Sequence, residues 1–304
     1  MKNKLAIVSF AFLTSTAVVK AQDLEAAKKT IDAEKYEGAK KMLKGLVATN
    51  PANGKATFLL GTVYLKQNIE DSAKIYFQKG LAAKDGGRLN SIGLGQIDLN
   101  NKDVASAQAN FAQATKDLKK KDFEELLYVG KAYTNATTPD YKKALEYLNK
   151  AKAISPMDAQ VQLALGDAYY GDKNQNEAYA AYRNAYAADA SLKREKMQLG
   201  VLLKGAKAYT KAIEAFDEVV KTSPNYGPVY RELAETYYYW ANNEPKKYNE
   251  YIQKALPAYE KYMNLTDYSL TSRMRHADFL ILAKDYKALE VDANVMQKLD
   301  KVNP

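Results

Sequence analysis

Residues 196–224 read KMQLGVLLKGAKAYTKAIEAFDEVVKTSP and carry the pattern of two amphipathic helices. Large apolar residues recur at spacings of three and four, as Leu199 and Leu203 do, and such spacings place them on one face of a helix. Gly200 and Ala212 are small where the two helices would cross. The stretch therefore predicts a pair of antiparallel helices whose backbones approach closely at these two positions.

The helix pair recurs along the chain with a period of 34 residues. The Leu-Gly pair that contains Gly200 has a counterpart at Gly166, and Ala212 has one at Ala178. The same spacing separates Ala39, Ala73 and Ala107, and also Gly61 and Gly95. Because several independent positions keep one phase, the chain is predicted to be an array of stacked repeats.

This unit resembles the tetratricopeptide repeat, a helix–turn–helix of 34 residues with small residues where its helices cross and a proline at its end. The resemblance implies an all-α fold, an α–α superhelical solenoid. Eight units fit the frame, near residues 23–51, 54–87, 88–121, 123–156, 159–190, 193–224, 227–267 and 270–301.

Two units depart from the pattern. In the eighth, His276 stands where the leucine of the Leu-Gly pair belongs, and its phase predicts a packed or capping histidine. In the seventh, the second helix begins several residues late. Asn243 suits a helix N-cap and Pro245 a first turn, so the extra residues predict a longer second helix, kinked at Pro257.

The N-terminus has the features of a secretory signal peptide. Lys2 and Lys4 precede an apolar run over residues 5–19, and small residues stand at Val19 and Ala21. An uncleaved membrane anchor is the alternative, but the run is short for a bilayer-spanning helix. We therefore expect cleavage after Ala21, a solenoid over residues 22–304, no stable membrane insertion afterwards, and a bacterial periplasmic or secreted location.

The composition excludes most catalytic and metal chemistry. The chain has no cysteine and one histidine, so Cys–His and Ser–His nucleophile pairs and metal sites rich in these residues are not expected. Gly93 and Gly95 fit the small positions of the third unit better than a phosphate loop. A two-carboxylate hydrolase is the enzyme class that the sequence leaves open. We predict a non-enzyme without cofactor or metal.

The charge balance is moderately basic. The formal charge of +9 falls to +6 when Lys2, Lys4 and Lys20 are removed with the signal peptide. That excess allows a weak preference for anionic partners such as cell-wall polymer. A nucleic-acid partner is not expected, because it would need clustered basic residues and an unexported protein.

The resemblance also implies where partners bind. In the tetratricopeptide repeat family the first helix of each unit lines a concave groove, and positions three before, one after and four after the small glycine point into it. The partner-binding residues predicted from these positions are Phe58, Leu65, Gln96, Lys131, Asp167, Tyr170, Met197, Arg231, Glu235 and Tyr238. The asparagine with which chaperone-binding members clamp a peptide carboxylate is absent from the matching positions.

Two interpretations of this groove stay open. Phe58, Ile92 and Leu99 are either ligand contacts or residues that pack between neighbouring first helices. In the aromatic run at residues 237–240, Tyr238 and Trp240 are the candidates for contact with a partner, and the alternative is a seam against residues 242–250.

Together these features predict a non-catalytic scaffold that binds protein or peptide partners in the bacterial cell envelope. The alternative function is binding of cell-wall glycan through the tyrosine-rich part of the groove, since aromatic faces also stack on sugars.

Overall fold

The computed structural model describes residues 23–190, 193–267 and 270–302. Within these ranges the chain forms sixteen α-helices and one short 3₁₀-helix, and it contains no strand. The predicted all-α superhelical solenoid is thereby confirmed. The signal peptide lies outside the described residues.

The helices follow one another in antiparallel pairs, which we number in chain order. They are α1 (residues 23–32), α2 (Tyr36–Thr49), α3 (Gly54–Lys66), α4 (Glu70–Gly80), α5 (Gly87–Asn100), α6 (Val104–Thr115), α7 (Glu124–Asn135), α8 (Tyr141–Ile154), α9 (Ala159–Gly171), α10 (Gln175–Ala188), α11 (Lys193–Gly205), α12 (Tyr209–Thr222), α13 (Gly227–Asn243), α14 (Tyr248–Leu265), α15 (Leu270–Ala283) and α16 (Tyr286–Val302). Odd-numbered helices are the first helices of their pairs, and even-numbered helices are the second.

The turn inside each pair is built in the same way along the array. A residue with left-handed backbone follows the first helix at Glu34, Asn68 and Lys102, with φ of 57°, 60° and 64°, and again at Lys173 and Lys207. The first three stand 34 residues apart, as do the last two, so the geometric repeat has the period of the sequence repeat. Because each turn returns the chain along its own first helix, all the first helices line one side of the solenoid.

The helix crossings explain the small residues of the repeat. A Cβ added at Gly200 would lie 2.5 Å from the ring of Phe216, and one at Gly166 would lie 2.4 Å from the ring of Tyr182. Real Cβ atoms do not approach a ring so closely, so the rings occupy the space that a side chain would need. Both glycines are buried, as are their partners Ala178 and Ala212, which confirms the predicted crossings.

The seventh pair differs from its prediction. The extra residues do not only lengthen the second helix, because α13 itself has 17 residues and runs on to Asn243, and a separate 3₁₀ turn, Pro245–Lys247, precedes α14. The physical reason is Trp240. Its ring stacks on Tyr251 of α14 at 4.4 Å and its indole N–H donates to Glu244 at 2.6 Å, which holds the additional turn against the second helix.

The first pair contacts the seventh pair through the turn between α1 and α2. The guanidinium of Arg231 pairs with Glu34 at 2.6 Å, and the hydroxyl of Tyr262 donates to the same carboxylate at 2.8 Å. Around them, the amide of Asp267 donates to the Glu34 carbonyl at 3.0 Å, and the Tyr226 hydroxyl donates to Asp32 at 3.1 Å. We call this group the closing contact.

The closing contact brings together residues that lie about two hundred positions apart in the chain. As a result the superhelix returns on itself, and the first helices enclose a space that we call the central channel. Among the described residues, no helix combines the length and the apolar character that crossing a membrane requires.

Candidate functional site

The predicted partner-binding residues lie on the first helices, but two of them are closed to solvent. Phe58 is 5% exposed and its ring meets Tyr128 of α7 edge-on at 4.8 Å. Met197 is 4% exposed and belongs to the apolar cluster that includes Phe216. Since Ile92 is also buried, Phe58 and Ile92 fit the interpretation that these residues pack between neighbouring first helices. We therefore leave Phe58 and Met197 out of the candidate contact surface.

Asp167 is held in a network at the middle of the channel wall. Its carboxylate accepts from Arg194 of α11 at 2.7 Å, from Gln198 at 3.1 Å and from the buried Tyr182 hydroxyl at 3.0 Å. Burial and the adjacent carboxylate both raise the pKa of Tyr182, so the phenol stays neutral and acts as a donor. A partner that contacts Asp167 must therefore share it with three donors of the protein itself.

The C-terminal half of the channel wall carries a chain of ion pairs between neighbouring first helices. Lys204 of α11 contacts Glu232 at 2.6 Å and Glu235 at 2.9 Å, both on α13. The chain continues from Glu235 to Arg275 at 2.8 Å, and from Glu232 through Arg231 to the closing contact. We call these residues the ion-pair chain.

The pKa shifts in the ion-pair chain follow from its geometry. Burial alone would lower the pKa of Lys204, but Glu232 and Glu235 outweigh it and raise the value. Burial alone would raise the pKa of Glu232, yet Lys204 and Arg231 hold it below its usual value. These charges are thus neutralised within the fold, and the predicted contact residues Arg231 and Glu235 are engaged there.

The aromatic run of α13 divides between packing and exposure. Tyr238 is half-buried, with its ring edge-on to Phe279 at 5.7 Å. Trp240 stacks between Tyr209 at 5.8 Å and Tyr251 at 4.4 Å, so it belongs to the seam against the second helix. Tyr239, which the position rule does not select, is 48% exposed. Tyr238 and Tyr239 are therefore the rings of this run that a ligand would meet.

The N-terminal half of the wall presents different chemistry. Leu65 and Gln96 are half-buried, and Lys131 of α7 is half-buried beside Tyr128. The ammonium of Lys131 donates to the amide oxygen of Gln160 at 3.3 Å. Burial, reinforced by neighbouring cations, lowers the pKa of Lys131 to about 8. Tyr170 of α9 is also half-buried on this wall.

A cleft that the repeat pattern does not reveal opens at the starts of α3, α5, α7 and α9. Its volume is about 1060 Å³, and a smaller cavity of about 240 Å³ shares Lys28, Lys55 and Tyr128 with it. Ion pairs across the cleft join Lys55 to Glu124 at 2.6 Å and Arg88 to Glu125 at 3.9 Å. These residues lie near turns between units, where the repeat imposes no pattern, so sequence reasoning missed the cleft.

His276 is a packed side chain. It is 8% exposed, its ring lies parallel to that of Tyr259 at 5.7 Å, and its Nδ1 lies 2.6 Å from Asp292. In the part of the chain that the structure describes, no three His, Asp or Glu residues are grouped so as to hold a metal ion.

Comparison with known proteins agrees with this architecture. Residues 20–88 match the family model of the tetratricopeptide repeat. Anaphase-promoting complex subunit 3 of Schizosaccharomyces pombe is 28% identical over 156 residues, which are 51% of this chain and 23% of that protein. The chain spans less than a quarter of the length of the curated relatives it matches.

Two solved structures share the fold over most of the chain. A human IFIT1 dimer with PPP-AAAA has a TM-score of 0.58 at 15% identity and covers 93% of this chain and 72% of its own. A tetratricopeptide repeat protein from Parabacteroides merdae has a TM-score of 0.51 at 14% identity and covers 87% of this chain and 98% of its own. At such identities the likeness concerns the fold alone.

Proposed function

We propose that this chain, which has the superhelical fold of tetratricopeptide repeat proteins, is a non-catalytic scaffold that binds a segment of a partner protein in its central channel. Scaffolds with this fold generally mediate protein–protein interactions. The observation that carries the proposal is the channel wall itself. Half-buried side chains of several units, among them Leu65, Gln96, Tyr170 and Tyr238, line a continuous surface provided by rigid first helices.

The surface suits an extended or helical peptide more than a small molecule. Its residues are spread over many units, so binding energy would accumulate along a segment instead of in one deep pocket. The closing contact adds a geometric condition, because a partner enters either along the channel axis or after the first and seventh pairs separate.

The proposed location is the bacterial envelope, from the signal-peptide features of residues 1–21 and the absence of cysteine in the chain. Glycan binding is not favoured. Trp240, the strongest stacking candidate, is held between Tyr209 and Tyr251, and so its faces are not free to receive a sugar ring.

Selected peptides test the proposal. A displayed library of random peptides would be selected against the purified chain, and the affinity of the selected peptides measured by fluorescence anisotropy. Tyr238→Ala is expected to weaken binding by on the order of 1–2 kcal/mol, about 5- to 30-fold, the effect of a single interface anchor. Thermal melting of the variant controls for loss of the Phe279 contact.

Tyr186→Ala is the matched control, since Tyr186 lies on the second helix α10 and is 40% exposed. It should leave affinity unchanged. The proposal is wrong if Tyr186→Ala weakens binding while Tyr238→Ala does not, or if selection yields no peptide that binds.

A further inference from the structure

We propose that Lys66 and Lys131 form a site in the central channel that binds a carboxylate side chain of the partner segment. The inference rests on the proposed function and specifies its ligand: a peptide with an acidic residue among apolar ones. It uses two lysines that the described structure leaves without carboxylate partners, and it differs from the clamp whose asparagine this chain lacks.

The two lysines face one another across the channel although they belong to different units. Lys66 is the last residue of α3 and Lys131 lies in α7. Removal from bulk water lowers the pKa of both ammonium groups, and the positive charge of Arg194 on α11 lowers both further. Lys66 and Lys28 also lower the pKa of Lys131, while Asp167 opposes the shift. Cations on α1, α3, α7 and α11 therefore share one space.

Exposure of Lys66 is consistent with this placement. Its side chain is exposed to water, yet its pKa is lowered as for a group taken out of bulk solvent. Both statements hold if the ammonium projects into a narrow water-filled channel with protein on every side. The surrounding wall excludes bulk solvent while the side chain itself touches no covering group.

The other cations of the channel wall are already paired. Arg194 is neutralised by Asp167, and Lys204 and Arg231 by the ion-pair chain. In the ranges that the structure describes, Lys66 and Lys131 form no ion pair, and the hydrogen bond from Lys131 goes to the neutral amide of Gln160. Holding like charges together without counter-ions is unfavourable, and a bound carboxylate would relieve it.

The surroundings favour one carboxylate over a polyanion. Asp32, Glu34 and Asp167 act on Lys66 and raise its pKa, so negative charges already stand around the site. A phosphodiester chain would place a further charge at every step against these acids, whereas a single carboxylate meets only the two ammonium groups. The adjoining residues Leu65 and Leu127 are apolar, and Leu127 is buried. A peptide with an isolated acid flanked by apolar residues fits this distribution.

The site predicts a pH dependence of known sign. The carboxylate binds the protonated form of Lys131, whose pKa in the free protein is about 8. Binding should therefore be fully present below that value and weaken as the pH rises through it. The charged and titratable groups that act on Lys131 are Lys28, Lys66, Asp167 and Arg194.

The test compares two labelled peptides of leucine and alanine, one with a central glutamate and the other with glutamine in its place. Fluorescence anisotropy measures the affinity of each for the full chain. We expect the wild type to prefer the glutamate peptide by about tenfold, the effect of one charge-assisted contact. The double variant Lys66→Gln with Lys131→Gln should bind both peptides alike. The wild-type preference should fall as the pH is raised through 8.

The double variant Lys142→Gln with Lys152→Gln is the matched control. Both lysines are exposed on the second helix α8, and the change removes the same net charge. It should keep the preference. If it loses the preference to the same extent, the effect is one of net charge and the inference is wrong.

Other outcomes also overturn the inference. Equal affinity of the wild type for both peptides would refute the carboxylate site and leave the scaffold function supported by the binding itself. Binding of neither peptide would refute the site, and the library selection then decides separately whether the scaffold function stands. Tighter binding of an oligoadenylate or of inorganic phosphate, lost in the lysine double variant, would show a phosphate site in place of a carboxylate site.

Discussion

At the scale of single residues, the fold depends on missing side-chain volume. The rings of Phe216 and Tyr182 occupy the positions that Cβ atoms would take at Gly200 and Gly166. Opposite them, Ala212 and Ala178 have no exposed surface. Close-packed interiors do not absorb an added methylene without displacing neighbours, so these positions tolerate only small residues.

Enlarging one of these residues should therefore destabilise the chain. Ala212→Leu is expected to lower the free energy of unfolding by roughly 1–3 kcal/mol, because the larger side chain forces α11 and α12 apart. Urea denaturation followed by circular dichroism measures the loss. Ala187→Leu on the exposed face of α10 is the control and should change little. Equal stability of the two variants would mean that α11 and α12 do not cross at Ala212.

At the scale of elements, the sequence predicts the helix pairs well because the period is local. Each first helix meets its own second helix through residues less than one unit apart, and the small-residue positions mark the crossing. The extended α13 was not predicted. Nothing in the periodic pattern of residues 237–250 shows that Trp240 stacks on Tyr251 instead of facing a ligand.

Contacts between neighbouring first helices are intermediate in predictability. Lys204 meets Glu232 and Glu235, which lie 28 and 31 residues further along the chain, and Asp167 meets Gln198 at a separation of 31. Opposite or hydrogen-bonding residues at slightly less than one repeat are thus the signal for these pairs. The position rule for the groove ignores that signal, and it therefore selected Asp167, Arg231 and Glu235 without indicating that each is engaged by the neighbouring unit.

At the scale of the whole molecule, the closing contact determines the shape of the binding space. It lies outside sequence prediction, because it joins the α1–α2 turn to α13 and α14, whose separation in the chain carries no repeat signal. Burial alone would raise the pKa of Glu34, but Arg231 and Tyr262 hold it below its usual value, so the carboxylate stays ionised at neutral pH. The enclosed channel, and with it the arrangement of Lys66 opposite Lys131, depends on this closure.

Breaking the closing contact should open the superhelix. Glu34→Ala removes the acceptor of Arg231 and Tyr262 and should lower the free energy of unfolding by on the order of 1–3 kcal/mol, since the pair is only partly open to water. Small-angle scattering should show a larger radius of gyration. Glu25→Ala, which removes an exposed ion pair within α1, is the control and should leave both quantities unchanged. An unchanged radius in Glu34→Ala would mean that other contacts hold the first and seventh pairs together.

The central claim is that the first helices, facing the channel, bind the partner. Hydrogen–deuterium exchange of the chain with and without a selected peptide tests it most directly. We predict slower exchange on binding in α3, α7, α9 and α13, and no change in the second helices α4, α8, α10 and α12. Protection confined to the second helices, with the first helices unaffected, would contradict the claim and place the binding surface on the outside of the superhelix.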